Sequence, residues 1–172
     1  YTFSFGDNII DIKGKMQASK QLSKVQVLAW NSKEQKLVSV SVDNTTVTDN
    51  DQGDLTADEL AEKIGSNELT LQTSEYVDDD SLTKWATAKL LEETLKRVQG
   101  DISCKGTAVI TTGCIVSIEN VSKHIDGKAF CGAVEHEIKD GNWQTTASMG
   151  YKDENTAGAT GISANIVELY KF

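Results

Sequence analysis

Proline is absent from all 172 residues, where ordinary usage of about 5% would give roughly eight or nine. Turns must therefore be made by Gly, Asn and Asp, and sheet edges cannot be blunted by proline. Positive charge is also scarce. Seventeen Lys and Arg against 26 Asp and Glu give a net charge of -9 and a pI near 4.7. That balance argues against nucleic acid or an anionic lipid surface as partner, because polyanions attract cations and repel carboxylates. No apolar run approaches the roughly 18 residues of a membrane span, and YTFSFGDNII lacks the charged and apolar regions of a signal peptide. The first residue is Tyr1 rather than Met, which reads as an excised fragment of a longer chain or as a processed N-terminus.

Chemistry-bearing residues are thin as well. There are three cysteines, Cys104, Cys114 and Cys131, without a CxxC. Such a set reads as buried reduced thiols made in the cytoplasm, not as a disulfide framework. With His124 and His136 they supply enough atoms for zinc, but no close pair has the spacing that zinc sites use. GxSxG, the P-loop, GxGxxG and HExxH do not occur. The acidic run DNDQGDLTADEL places Asp49, Asp51 and Gly53 two apart, with Glu59 or Glu62 as a distal carboxylate. Counted from Asp49, however, position 5 is Gly53 and position 6 is Asp54, so the calcium-loop order fails.

What is present is period-two alternation. Val25, Val27 and Ala29 fall on one face of a strand with Leu28 and Trp30 on the other. Val38, Val40 and Val42 then alternate with Ser39, Ser41 and Asp43, and residues 31–35 form the hairpin turn between them. NIIDIKGKMQA reads as an earlier strand with a bulge near Gly14. Residues 44–55 lose periodicity and read as a loop.

Two helices are predicted. TADELAEKIGS has Thr56 as N-cap, Glu59 as capping-box partner and Gly65 as stop. A longer helix starts after Asp78, Asp79 and Asp80 and runs to Gly100, with Leu82, Trp85, Ala88, Leu91, Leu95 and Val98 on one face. The three aspartates sit at its N-terminus and Lys96 and Arg97 at its C-terminus, as the macrodipole favours, so they read as a helix-start device and not as a metal site.

From Asp101 the strands resume: ISCKGTAVI, CIVSIEN and a final hairpin. A two-residue turn at Asp140 and Gly141 pairs Lys139 with Asn142 and fixes the rest of the register. Ile138/Trp143, His136/Thr145, Val134/Ala147, Gly132/Met149 and Phe130/Tyr151 then share an apolar, inner face. Glu137/Gln144, Glu135/Thr146, Ala133/Ser148 and Cys131/Gly150 share the other. Glu135 and Glu137 consequently point away from His136 and form no catalytic cluster with it. They read as a solvated edge, and His136 as a half-buried structural residue. Cys114 and Cys131 lie in strand patterns, not at exposed turns. No catalytic, cofactor-binding or metal-binding residue is therefore assigned, no cofactor is expected, and the chain reads as a protein that is not an enzyme. The fold class is α+β, mainly antiparallel β: a small β-barrel with one long amphipathic helix and one short helix.

That order of elements carries a resemblance. FSFGDNIIDIKGKMQASKQLSKVQVLAWNSKEQKLV, then SLTKWATAKLLEETLKRVQGDISCKGTAVI, then TTGCIVSIENVSKHIDGKAFCGAVEHEIKDGNWQTTASMGY together resemble the phage baseplate-hub-like base of VgrG-type spike proteins of type VI secretion systems, the late control protein D family. The resemblance covers most of residues 1–151. The Gly113 turn lacks the proline that often precedes the glycine in that family, and residues 152–172 match nothing in it. The resemblance implies a phage-tail-hub-like β-barrel over 1–151, with 44–80 as an irregular and helical insertion, a helix over 80–99, and 152–172 as a C-terminal tail or linker. It further implies a structural part of a contractile injection machine, cytoplasmic before firing and then expelled. The implied partners are its own copies in a homotrimer, a hexameric inner-tube protein, and effector or adaptor proteins, with no nucleic acid or membrane. Two alternatives stay open: a hydrolase using Cys131 or Glu135, which would need a pocket holding a perturbed titratable group, and a stand-alone β-barrel module binding carbohydrate or protein. The module would need an exposed aromatic platform, whereas Trp30, Trp85 and Trp143 each fall on apolar stripes that read as core.

Overall fold

The computed structural model describes residues 1–19, 21–32, 34–46, 51–65, 68–75 and 77–152. Asp49 and the segment from 153 onward lie outside them, as do Lys33 of the first hairpin turn and part of the 44–80 stretch. The strands are β1 (Thr2–Ser4), β2 (Ile9–Met16), β3 (Lys24–Asn31), β4 (Lys36–Asp43), β5 (Glu68–Thr73), β6 (Val98–Lys105), β7 (Ile115–Glu119), β8 (Gly127–Lys139) and β9 (Asn142–Met149); the helices are α1 (Ala57–Ile64) and α2 (Asp79–Leu95). The class is α+β and mainly antiparallel. A six-stranded sheet runs β1-β7-β8-β9-β6-β2 and a three-stranded sheet runs β4-β3-β5. The large sheet curls into a half-barrel. It curls because β8 serves two neighbours in turn, β7 along Gly127–Phe130 and β9 along Cys131–Lys139. Strands β1 and β2 remain its edges.

Each sheet has its own core. Within the half-barrel Phe3, Ile102, Ile118, Val116, Ala147 and Met149 are buried together. The small sheet buries Val25, Val27, Ala29 and Val42 against Leu82, Ala86 and Leu90 of α2. The β3–β4 hairpin pairs in the register that its alternation implies, Val25 with Val42, Val27 with Val40 and Ala29 with Val38. Full burial of each such side chain is worth about 1.5–3 kcal/mol, which fixes this face inward.

Helix α1 begins as expected. Thr56 Oγ1 accepts from the Glu59 amide, Glu59 Oε2 accepts from the Thr56 amide, and Gly65 caps the end. Asp78 caps α2 by accepting from the Ser81 amide at 3.0 Å.

The α2 stripe read from the sequence is rotated, and the helix is too long at its end. Leu82, Ala86, Leu90, Glu93 and Thr94 are buried, whereas Trp85 and Leu91 are each 39% exposed. Two apolar stripes share Leu82, and the one that faces the small sheet carries Ala86 and Leu90. The helix stops at Leu95, and Val98 and Gly100 already belong to β6. Lys96 and Arg97 are not solvated dipole partners. They are 3% and 2% exposed, wedged between helix and strand. Lys96 Nζ pairs with Glu92 at 2.6 Å and with Glu93 at 2.9 Å, and stands over the Tyr151 ring. The Arg97 guanidinium donates to the Leu55 carbonyl. Cations taken out of water in this way persist only when paired.

The bulge predicted near Gly14 is instead between Ile9 and Asp11, and Gly14 pairs regularly with Gly100. Strand β5 falls inside the stretch read as irregular. It pairs with β3 in parallel and puts Leu69 and Leu71 against the small core.

The final hairpin follows the derived register from Lys139/Asn142 to Ala133/Ser148, with positive φ at Asp140 and Gly141. A bulge at Gly132 then shifts the pairing so that Cys131, not Gly132, faces Met149. This shift brings Cys131 onto the core face. The outer half of the expected inner face is in solvent: Ile138 is 75% exposed and Trp143 42%. The reason is that β9 pairs with β6 only as far as Gln144, so the hairpin tip extends past the sheet that would cover it.

Candidate functional site

Among the described residues weighed for chemistry, the Cys114 and Cys131 thiols are neighbours, but the carboxylates and histidines do not join them in one site. Glu135 and Glu137 are exposed and lie on the face opposite His136. The imidazole Nδ1 of His136 shares a 2.9 Å hydrogen bond with Thr145 Oγ1, and its ring lies 5.9 Å from that of Trp143. Burial, reinforced by the neighbouring Cys114 thiol, pushes the Cys131 thiol up to about 11. It is therefore held neutral at ordinary pH, the reverse of an activated nucleophile. Burial raises Cys104 too, with Tyr1 as its hydrogen-bond neighbour. Among the described residues no group of three or more His, Cys, Asp or Glu is arranged to hold a metal ion, and no helix is long and apolar enough to cross a membrane.

One polar cluster was not visible in the sequence. His124 Nδ1 lies 2.6 Å from Asp54 Oδ1, and Lys123 Nζ 3.3 Å from Asp54 Oδ2. The hydrogen bond from His124 holds the Asp54 carboxyl below its ordinary range. The segment carrying Asp54 is laid along the β7–β8 connection: the Gly53 amide donates to Asp126 O at 2.7 Å, and Gln52 Nε2 to Ile125 O at 3.3 Å. These bonds tie a loop down. A groove of about 430 Å³ beside β2 and β6 is lined by Lys13, Gly14, Lys15, Gln99, Gly100, Asp101 and Lys152. Its carboxylate is already engaged by Lys152 at 2.7 Å.

The surface is more informative than the clefts. Exposed sheet edges invite pairing with another chain unless they are short, charged or bulged. Strand β1 has three residues, and β2 carries Asp11, Lys13 and Lys15 together with its bulge. Strand β4 has none of these devices. It is an eight-residue edge with no charge between Lys36 and Asp43 and an unbroken register against β3. At one end of its outer face Trp30 and Leu37 stand directly opposite each other, 47% and 59% exposed. Trp85 is on α2 and Trp143 on β9, so all three tryptophans are surface residues, contrary to the core reading, and they stand on three different elements. Among the described residues, what the arrangement offers is an uncovered edge and separate apolar anchors, which suit contact with other protein chains.

The fold is that of phage tail proteins. It is similar to the 43 kDa tail protein of prophage MuSo2 from Shewanella oneidensis, at a TM-score of 0.58 and 10% identity over 87% of this chain and 41% of that one. It is also similar to the tail protein from Neisseria meningitidis MC58, at a TM-score of 0.59 and 16% identity over 87% of this chain and 43% of that one. The chain thus spans about two fifths of the length of these tail proteins. By sequence it belongs to the Alg8 N-terminal domain family, whose family model matches residues 1–140. No curated protein matches it.

Proposed function

We propose that this chain is a structural, non-catalytic part of a contractile, phage-tail-like injection machine. In its finer form the reading is the hub of a type VI secretion spike of the VgrG kind. Residues 1–151 would be the hub-like unit and 152–172 its tail or linker. The hub would be trimeric, dock on a hexameric inner tube, carry effector or adaptor proteins, and be cytoplasmic until sheath contraction expels it. The observation that supports this reading is the tail-protein fold shared with the Shewanella and Neisseria structures. The unprotected β4 edge fits it, since function would then reside in surfaces.

The test is made on the full-length protein containing this chain. Sedimentation velocity should give a trimer, and the trimer should co-sediment with purified tube rings. A monomer that ignores the tube overturns the reading. The binding-module alternative gains from the exposure of Trp30, Trp85 and Trp143, although their separation denies it a single platform. Binding to a glycan array that is lost in Trp30→Ala would bring it forward.

A further inference from the structure

The turn before β7 is a two-against-one bulge. Gly113, at φ +86°, donates its amide to Cys131 O at 2.8 Å, while the Cys131 amide donates to Cys114 O at 2.9 Å. Gly113 and Cys114 together thus oppose the single residue Cys131, with glycine taking the left-handed position that such a bulge requires. Cys114 and Cys131 also continue the register that pairs Ile115 with Phe130 and Val116 with Ala129. Opposed residues project to the same side of a sheet. In a hydrogen-bonded antiparallel pair their Cα atoms lie about 5.5 Å apart, inside the roughly 4.4–6.8 Å that a disulfide spans. Their thiols are hydrogen-bond neighbours at the margin of the half-barrel core.

The third cysteine is placed elsewhere. Met149 is the partner of both Gly100 and Cys131, whereas Cys104 pairs with Thr145. Four positions along a strand correspond to about 13 Å, which leaves Cys104 out of reach of Cys131 along the sheet.

We propose that Cys114 and Cys131 form an intramolecular disulfide when the folded protein meets an oxidising medium containing a low-molecular-weight disulfide. Cys114 is the partly exposed member and Cys131 the buried one, so the order of events is set. The Cys114 thiolate attacks the S–S bond of glutathione disulfide, forming a mixed disulfide and releasing one glutathione thiolate. Cys131, buried and neutral beside Cys114, attacks Cys114 Sγ as its proton passes to the departing glutathione thiolate, which leaves as the second thiol. Two protein thiols are oxidised and one glutathione disulfide is reduced to two thiols. The bond closes a loop over the 16 intervening residues and fastens β7, with β1 paired to it, onto β8. The thiols therefore stay reduced in a cytoplasm and lock outside it. This inference stands on the bulge and does not depend on the tail-machine reading.

The experiment is oxidation of the reduced, folded wild-type protein with glutathione disulfide, followed by alkylation and peptide mapping. The expected product is a monomer lighter by about 2 Da, with Cys114 linked to Cys131 and Cys104 alkylated. Its melting temperature should rise by roughly 6–12 °C, the stabilisation expected for a loop of this length. Cys104→Ala should still close the bond, and Cys114→Ser should abolish it. A glutathione adduct persisting on Cys114, a bond to Cys104, a disulfide between two chains, or no reaction would each overturn the proposal. The wild-type peptide map gives that answer whether or not a variant folds.

Discussion

Gly14 and Gly100 face each other across β2 and β6, and neither has positive φ, so space and not conformation decides what each can become. A Cβ on Gly100 would lie 2.0 Å from Lys13 O, 2.8 Å from Gly14 Cα and 2.9 Å from Met149 Cε, against the 3.0 Å below which Cβ contacts essentially never fall. Two of those neighbours are main chain and cannot swing aside. Gly100→Ala must push β2 away from β6. Overpacking of this kind costs about 1–3 kcal/mol, and a weakened ladder hydrogen bond adds about 1 kcal/mol. The alanine returns only about 0.4–1 kcal/mol by restricting the unfolded chain. The net expectation is a loss of about 2–3 kcal/mol. A Cβ on Gly14 instead meets Ile125 Cδ1 at 2.7 Å, the free end of a side chain. Displacing that rotamer costs about 0.5–1.5 kcal/mol, which the same unfolded-state gain nearly offsets. Gly14→Ala should therefore fall within about 1 kcal/mol of wild type. Urea denaturation of both variants with a shared slope reads the difference directly. If Gly100→Ala lies within 1 kcal/mol of Gly14→Ala, the close approach of β2 to β6 is wrong, and with it the placement of that edge.

Leu90→Ala should cost about 2–5 kcal/mol as a cavity under the small sheet, while Leu91→Ala, 39% exposed, should cost under about 1 kcal/mol; equal values in thermal melts would restore the other helix face. Burial raises the pKa of the Asp101 carboxyl, but hydrogen bonds from Lys152 and Ser148 outweigh that and leave it below its ordinary value. A depressed folded pKa stabilises above the unfolded Asp value of about 3.9 and is lost as pH falls through the folded one. Asp101→Asn should thus be less stable than wild type at neutral pH, with the gap closing in acid; a gap independent of pH would refute the coupling. Ser41→Lys on the exposed face of β4 should leave the melting temperature unchanged and weaken self-association or tube binding, because an edge lysine blocks strand addition; unaltered assembly in sedimentation would clear β4 of that role.

Where one local rule governs, the sequence could be read. The capping box at Thr56 and Glu59, the Asp78 cap, the valine face of β3 and β4 and seven pairs of the last hairpin all follow from spacing alone. The misreadings share a cause. The rotated stripe of α2, the outward tip at Ile138 and the exposed Trp30 and Trp143 depend on which neighbour arrives to cover a face, and a strand's own pattern does not say where its partner ends. The bulges at Ile10 and Gly132 shift register without a distinctive composition. Strand β5 had a signal in Leu69 and Leu71, but its short length let the surrounding polar residues dominate. The burial of Lys96 and Arg97 was hidden because two charged residues after a helix usually mean a solvated end. That Glu135 and His136 stand on opposite faces, by contrast, was legible from the alternation of the last hairpin.

The two-residue link between α2 and β6 sets how stress would travel through the molecule. Just beside it the Gln17 amide holds Arg97 O at 2.7 Å, Gln21 Nε2 holds Glu93 O at 2.9 Å, and the Tyr151 amide holds Leu95 O at 3.0 Å. Two chain segments distant in sequence, 17–21 and Tyr151, are thus riveted to one joint with no slack loop to stretch. A pull on the small sheet passes along the helix axis into β6, which lies inside the large sheet between β9 and β2. There it meets ladder bonds on both sides of the strand. If the proposed function holds, a part expelled by a contracting machine would profit from such stiffness, and the joint supplies it without enlarging either core.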